Sequence, residues 1–145
     1  MSHQEKTLLE KYIENNLFGK FIGMDFKIIS EGFIEYHLTI TNNHLATPNS
    51  AHGCVVSSLI DGAMGVAGLS AVYTENKVVS TIEYKLNFLA PAFLNDQLIA
   101  KAKVEQKGNR ILIISCDVFC TNRENKLIAK SLGTFNAYDA SKAGY

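Results

Sequence analysis

From Val55 to Val72 the chain carries a single charged side chain, Asp61. This apolar run is too long for a strand and reads as a helix. Its wheel has two adjoining apolar rows, Val55, Leu59, Ala63 and Ala67 beside Val56, Ile60 and Met64. A face that broad must be buried, and the strand-like segments around it supply a sheet to bury it. The opposite stripe holds Ser57, Ser58, Asp61, Gly62, Gly65 and Gly68. Each glycine inside a helix costs about 1 kcal/mol relative to alanine. Close approach of another backbone, or of a ligand, would offset that cost. Because serines, glycines and Asp61 interrupt the run, it is expected to fall short of a membrane span.

The flanks set the architecture. Leu8, Leu9, Tyr12, Ile13 and Leu17 have helical spacing, which predicts one helix over 5–18, ended by Gly19 and Gly23. Met24 to Ile29 and Phe33 to Ile40 read as a hairpin around Ser30-Glu31-Gly32. A polar loop from Thr41 to Ala51 leads into the helix. Four strand-like blocks follow, at Val78 to Leu89, Gln97 to Gln106, Ile111 to Thr121 and Leu127 to Asn136. In the first, Ile82, Tyr84, Leu86 and Phe88 are expected on one face. Ile111 to Thr121 is apolar on both faces, as a central strand would be. The connections are short, so consecutive strands are expected to pair antiparallel. The result is an α+β fold, with one antiparallel sheet of five or six strands burying the long helix on one face.

Composition narrows the function. The 145 residues make one domain, 1–145. Lys plus Arg and Asp plus Glu are both 14, which argues against nucleic-acid binding and against a polybasic membrane anchor. Three cysteines, at 54, 116 and 120, are expected to be reduced thiols. Cys116 and Cys120 share a strand face about 13 Å apart, too far for a disulfide. Their spacing lacks a second ligand pair, so no metal site is expected. The N-terminus is polar and lacks the apolar core of a signal peptide, and a cytoplasmic location is expected.

Asp61 has two readings. It is a solvated carboxylate on the exposed stripe, or an acid at a partly dry site poised for proton transfer. Small neighbours favour the second, since a solvent face normally carries Lys, Glu and Gln. His52 and Gly53 open the helix. Either Gly53 merely turns the loop into the helix, or its N–H, at the positive end of the macrodipole, meets a substrate oxygen as an oxyanion hole.

His52-Gly53-Cys54, Asp61 nine residues beyond that histidine, and Phe88-Leu89-Ala90-Pro91-Ala92 together resemble the hotdog-fold thioesterases of the phenylacetate-degradation (PaaI-like) type, over roughly Gly32 to Phe135. The resemblance implies a curved antiparallel sheet wrapped around one central helix, a hotdog core over 24–136 and an additional N-terminal helix. It implies homodimers with a continuous sheet, often paired into homotetramers. The implied reaction is hydrolysis of an acyl-CoA thioester at the dimer interface, with no cofactor beyond the coenzyme A of the substrate.

Carried onto this chain, the Gly53 N–H polarises the thioester carbonyl. Asp61, from the other subunit, is the general base or nucleophile. Thr81 holds the attacking water or the carboxylate, and His52 is a supporting hydrogen-bonding group. Two positions depart from the pattern. Cys54 replaces a second glycine, and Ala46 stands where many members have an asparagine that helps place the water, a role that Asn49 or His44 in the same loop could take; Asn49 and Cys54 are thus candidate substrate contacts. Cys54 reads as a small inward-packing residue, or alternatively as a nucleophile. The turn Lys107-Gly108-Asn109-Arg110 is either an ordinary charged hairpin or a contact for coenzyme A phosphates, with Lys101 and Lys103 extending it. Ala46 favours one alternative, a non-catalytic acyl-CoA-binding module. Others are a hotdog dehydratase using His44 or His52, and a purely structural oligomer.

Overall fold

The apolar run forms helix α3, Gly53–Val72, in a computed structural model that describes residues 5–145. The first four residues of the segment read as lacking a signal peptide lie outside those described. His52 caps α3 from an extended backbone (φ −65°, ψ 139°), and its Nδ1 accepts the Cys54 N–H. At the other end, Lys107 Nζ donates to the Ala71 carbonyl at 2.8 Å, a cation where the helix dipole is negative. By length and composition α3 and its following turn do suffice to cross a membrane, contrary to the sequence expectation. In this fold, 72% of the most apolar window is buried against the sheet. Val55, Val56, Leu59, Ile60, Ala63, Met64, Val66 and Ala67 are all buried, and α3 touches all six strands. Gly68 lies where the helix backbone meets the sheet. A Cβ there would come within 3.1 Å of Ile114 and 3.2 Å of Val79.

The strands are β1 (Asp25–Ser30), β2 (Phe33–Thr39), β3 (Lys77–Phe88), β4 (Gln97–Lys107), β5 (Ile111–Cys120) and β6 (Lys126–Asp139). They form one antiparallel sheet, ordered β1-β2-β4-β5-β6-β3. Ile34, Tyr36, Leu38 and Ile40 point inward, as do Leu98, Ala100 and Ala102 of β4 and Leu112, Ile114, Cys116 and Val118 of β5. The small alanines of β4 let the helix approach closely. As expected, β5 is interior.

Two strand expectations are corrected. First, β3 does not pair with its successor β4 but lies at the sheet edge against β6. Having crossed the concave face, α3 delivers the chain to the opposite edge. The following link crosses back, held by Ala51 N–H to Ala92 O (2.8 Å), Leu94 N–H to Asn49 O (3.0 Å) and Asn95 N–H to Ile40 O (2.9 Å). Second, β3 does not alternate throughout. Thr81 pairs with Phe135 and Glu83 with Thr134, leaving Ile82 as a bulge. Val79 and Thr81 face α3 before it, Tyr84 and Leu86 after it, and Ile82 points out at 54% exposure.

The single expected N-terminal helix is two, α1 (Leu8–Asn15) and α2 (Leu17–Ile22). Asn16 breaks them apart. Its N–H closes α1 on Tyr12 O, and its side chain accepts the Gly19 N–H to start α2. Gly19 therefore lies inside α2, whereas Gly23, at φ 88°, does end it.

Candidate active site

Asp61 opens into a cavity of about 490 Å³ between α3, β3 and the N-terminal helices. It is half-buried, and Thr81 Oγ1 donates to its Oδ1 at 2.6 Å. One helical turn earlier, Ser57 Oγ and the Tyr84 hydroxyl lie 2.6 Å apart. The bulge at Ile82 makes both contacts possible, because it turns Thr81 and Tyr84 to the same side of β3. Across the cavity, Asn16 Nδ2 donates to the Tyr36 hydroxyl at 3.0 Å. Burial pushes the Tyr12 phenol well up, with Tyr36, Tyr145 and Asp61 adding to the effect, and burial also raises Tyr36. These phenols stay protonated around the carboxylate. An acid with one oxygen held by a hydroxyl keeps its other oxygen for a proton from water.

The other expected element is the start of α3. The loop N–H groups are tied down on either side of Gly53. His52 N–H goes to His44 O (2.8 Å), Cys54 N–H to His52 Nδ1 (3.0 Å) and Val55 N–H to His52 O (3.0 Å). Gly53 N–H has no such partner among the described residues and is exposed. Phe88 lies against it, its Cζ 3.3 Å from where a Gly53 Cβ would be. Gly53 and Asp61 are on one rod, eight residues apart, or about 12 Å at 1.5 Å per residue. Within one chain they do not reach the same carbonyl.

The structure scatters the remaining candidates. Cys54 is exposed rather than packed inward, while Cys116 and Cys120 are buried and all three thiols are free. Asn49 serves the loop, its carbonyl accepting from Leu94 and its Oδ1 from Thr47 at 3.3 Å. Ala46 closes the same loop through its N–H to Ser50 O at 2.9 Å. His44 is buried with both ring nitrogens engaged, Nδ1 to the Thr41 N–H (3.0 Å) and Nε2 to Ile22 O (2.8 Å). That removes it from any dehydratase role.

Nor does the Lys107–Arg110 turn reach the Asp61 cavity. Lys107 is held by Glu75 at 2.5 Å and by the end of α3. Gly108 N–H closes the turn on Ile111 O at 2.8 Å, and Arg110 lines, with Lys77 and Lys142, a depression that adjoins the Asp61 cavity through Ser80 and Tyr138. Residues that the sequence reading missed are Ser57, Tyr84, Tyr12 and Asn16. The i, i+4 spacing of Ser57 and Asp61 was the one available signal.

A model of the thioesterase superfamily matches residues 49–126, more than half of the chain and the part holding Gly53, Asp61 and Thr81. Acyl-coenzyme A thioesterase PaaI of Escherichia coli K12 is 32% identical over 133 residues, covering 89% of this chain and 88% of that protein. The solved structure of the E. coli PaaI protein from the phenylacetic acid degradation operon superposes with a TM-score of 0.81 over 90% of each chain, at 25% identity. A hypothetical thioesterase protein of Streptococcus pneumoniae TIGR4, solved with coenzyme A, shares the fold at a TM-score of 0.77, with 18% identity over 90% of this chain and 97% of that one. The chain belongs to the thioesterase superfamily and is a hotdog-fold thioesterase of the PaaI-like kind.

Proposed function

We propose that this thioesterase hydrolyses acyl-CoA at a site built from two copies of the chain, Asp61 and Thr81 from one and Gly53 from the other. The observation that carries this is the roughly 12 Å of helix between a positioned acid and an unpartnered N–H, each half of a hydrolytic site. The E. coli relative's acyl-coenzyme A activity supports the substrate. Edge strand β3 supports the pairing. It is hydrogen-bonded to a neighbour on one side only, and Ile82 and Phe88 are 54% and 56% exposed on it.

In the proposed reaction the acyl carbonyl oxygen sits on the Gly53 N–H. Asp61 takes a proton from water as the water oxygen attacks the carbonyl carbon. The oxyanion is held by the N–H, which contributes about 3 to 4 kcal/mol to such a transition state. Collapse breaks the C–S bond and returns the proton from Asp61 to the leaving sulfur, giving free acid and coenzyme A.

Asp61→Asn is expected to lower kcat by about 10² to 10⁴. Gly53→Pro removes the N–H at a first helical position that suits proline, after a His52 whose extended backbone already suits a following proline, and the exposed Phe88 ring, 3.3 Å from the added Cβ, must shift slightly to admit it. Each variant alone is expected to be nearly inactive. After unfolding and refolding together, they should recover about one quarter of wild-type activity, because half the dimers are mixed and each holds one intact site. No recovery would refute sharing. Ala46 favours a second reading, a binding module, which tight acyl-CoA binding with no turnover by the wild type would establish.

A further inference from the structure

We propose that Gly65 sets the length of the acyl group, by leaving open the part of the Asp61 cavity into which the chain beyond the carbonyl extends. This rests on the acyl-CoA reading above.

Ser57, Asp61, Gly65 and Leu69 form one row of α3, and all four line the cavity. The row changes character at Asp61. Toward the helix start the lining is hydroxyl-bearing, with Ser57, Ser58 and Tyr84. Toward the helix end it is richer in apolar and aromatic groups, with Leu69, Val79, Phe135 and Tyr138 beside Ser80. A thioester attacked beside Asp61 therefore has a polar side for its reacting group and an apolar side for its hydrocarbon.

Gly65 is the floor of the apolar side. The glycines of this helix differ in what requires them. Gly68 is required by packing, with Ile114 and Val79 within 3.2 Å of a Cβ. Among the described residues, nothing lies within 4 Å of where a Gly65 Cβ would be. Alanine would fit there and favour the helix. No group among the described residues of the chain uses the space, and it lies in the cavity one turn from the acid. An acyl chain is the occupant that this position and polarity fit.

The test compares wild type, Gly65→Ala and Gly68→Ala on acetyl-, butanoyl-, hexanoyl-, octanoyl- and phenylacetyl-CoA, with a thermal melt of each. Gly65→Ala should melt no lower than the wild type. Its ratio of kcat/KM for hexanoyl- over acetyl-CoA should fall about tenfold, the usual effect of one methyl group in an apolar pocket. Gly68→Ala should melt lower and keep the wild-type ratio. A Gly65→Ala protein that keeps the ratio overturns the proposal, as does one that melts lower, since packing would then explain the glycine. A wild type inert toward every acyl-CoA overturns the acyl-CoA reading and this inference with it. An active wild type whose selectivity ignores Gly65→Ala overturns this inference alone.

Discussion

Thr81 offers a test of the Asp61 geometry that leaves the carboxylate in place. Its hydroxyl donates to Oδ1 at 2.6 Å, and Thr81→Val keeps the shape while removing the donor. Losing a hydrogen bond to a charged group is worth about 1.5 to 3 kcal/mol, so kcat should fall about 10- to 100-fold with KM little changed. Thr81→Ser should restore most of it, which a purely structural role for the methyl group would not allow. Asp61 and Gly53 stood out in the sequence because each breaks a local rule. One is a lone acid in an apolar run, and the other is a bare residue where a helix begins. Tyr84 did not, because strict alternation along β3 puts Thr81 and Tyr84 on opposite faces. Only the backbone bulge at Ile82 reverses that parity, and no residue type at 82 announces it.

At the scale of elements, the long helix and the strand segments were legible from their periodicity, whereas the strand order was not. Short connections favour adjacent pairing, but the link from β3 to β4 crosses the end of the sheet instead. A buried clamp holds it there. Asp96, 4% exposed, accepts from the Phe93 N–H at 2.7 Å and from Arg123 Nη2 at 2.6 Å. Arg123 also donates to Pro91 O at 2.9 Å and covers the Phe93 ring at 4.9 Å. Beside the Asp96 carboxylate, the Arg123 guanidinium is pushed further up and stays charged. Arg123→Ala would strand a buried carboxylate, and urea titration should show a loss of about 3 kcal/mol. Adding Asp96→Asn to that variant should return part of the loss, because the stranded charge goes with it. The N-terminal pair was misread for a similar reason: Asn16 spans two helices, and helical periodicity continues across it.

For the whole molecule, the proposed site makes activity a property of the pair of chains. Ile82→Lys puts a charge on the outward bulge of the edge strand, a device that opposes strand pairing. Sedimentation should show the wild type as a dimer or tetramer and the variant shifted toward monomer, with helical circular dichroism retained and hydrolysis reduced more than tenfold. A monomer that stays fully active would contradict the shared site. Phe88, lying against Gly53 at the other end of the same strand, carries this one step further. One ribbon holds the acid near its middle and flanks the exposed amide near its end, so parting two copies would take from each group its counterpart on the other chain at once. Activity per chain should therefore fade on dilution well before any chain unfolds.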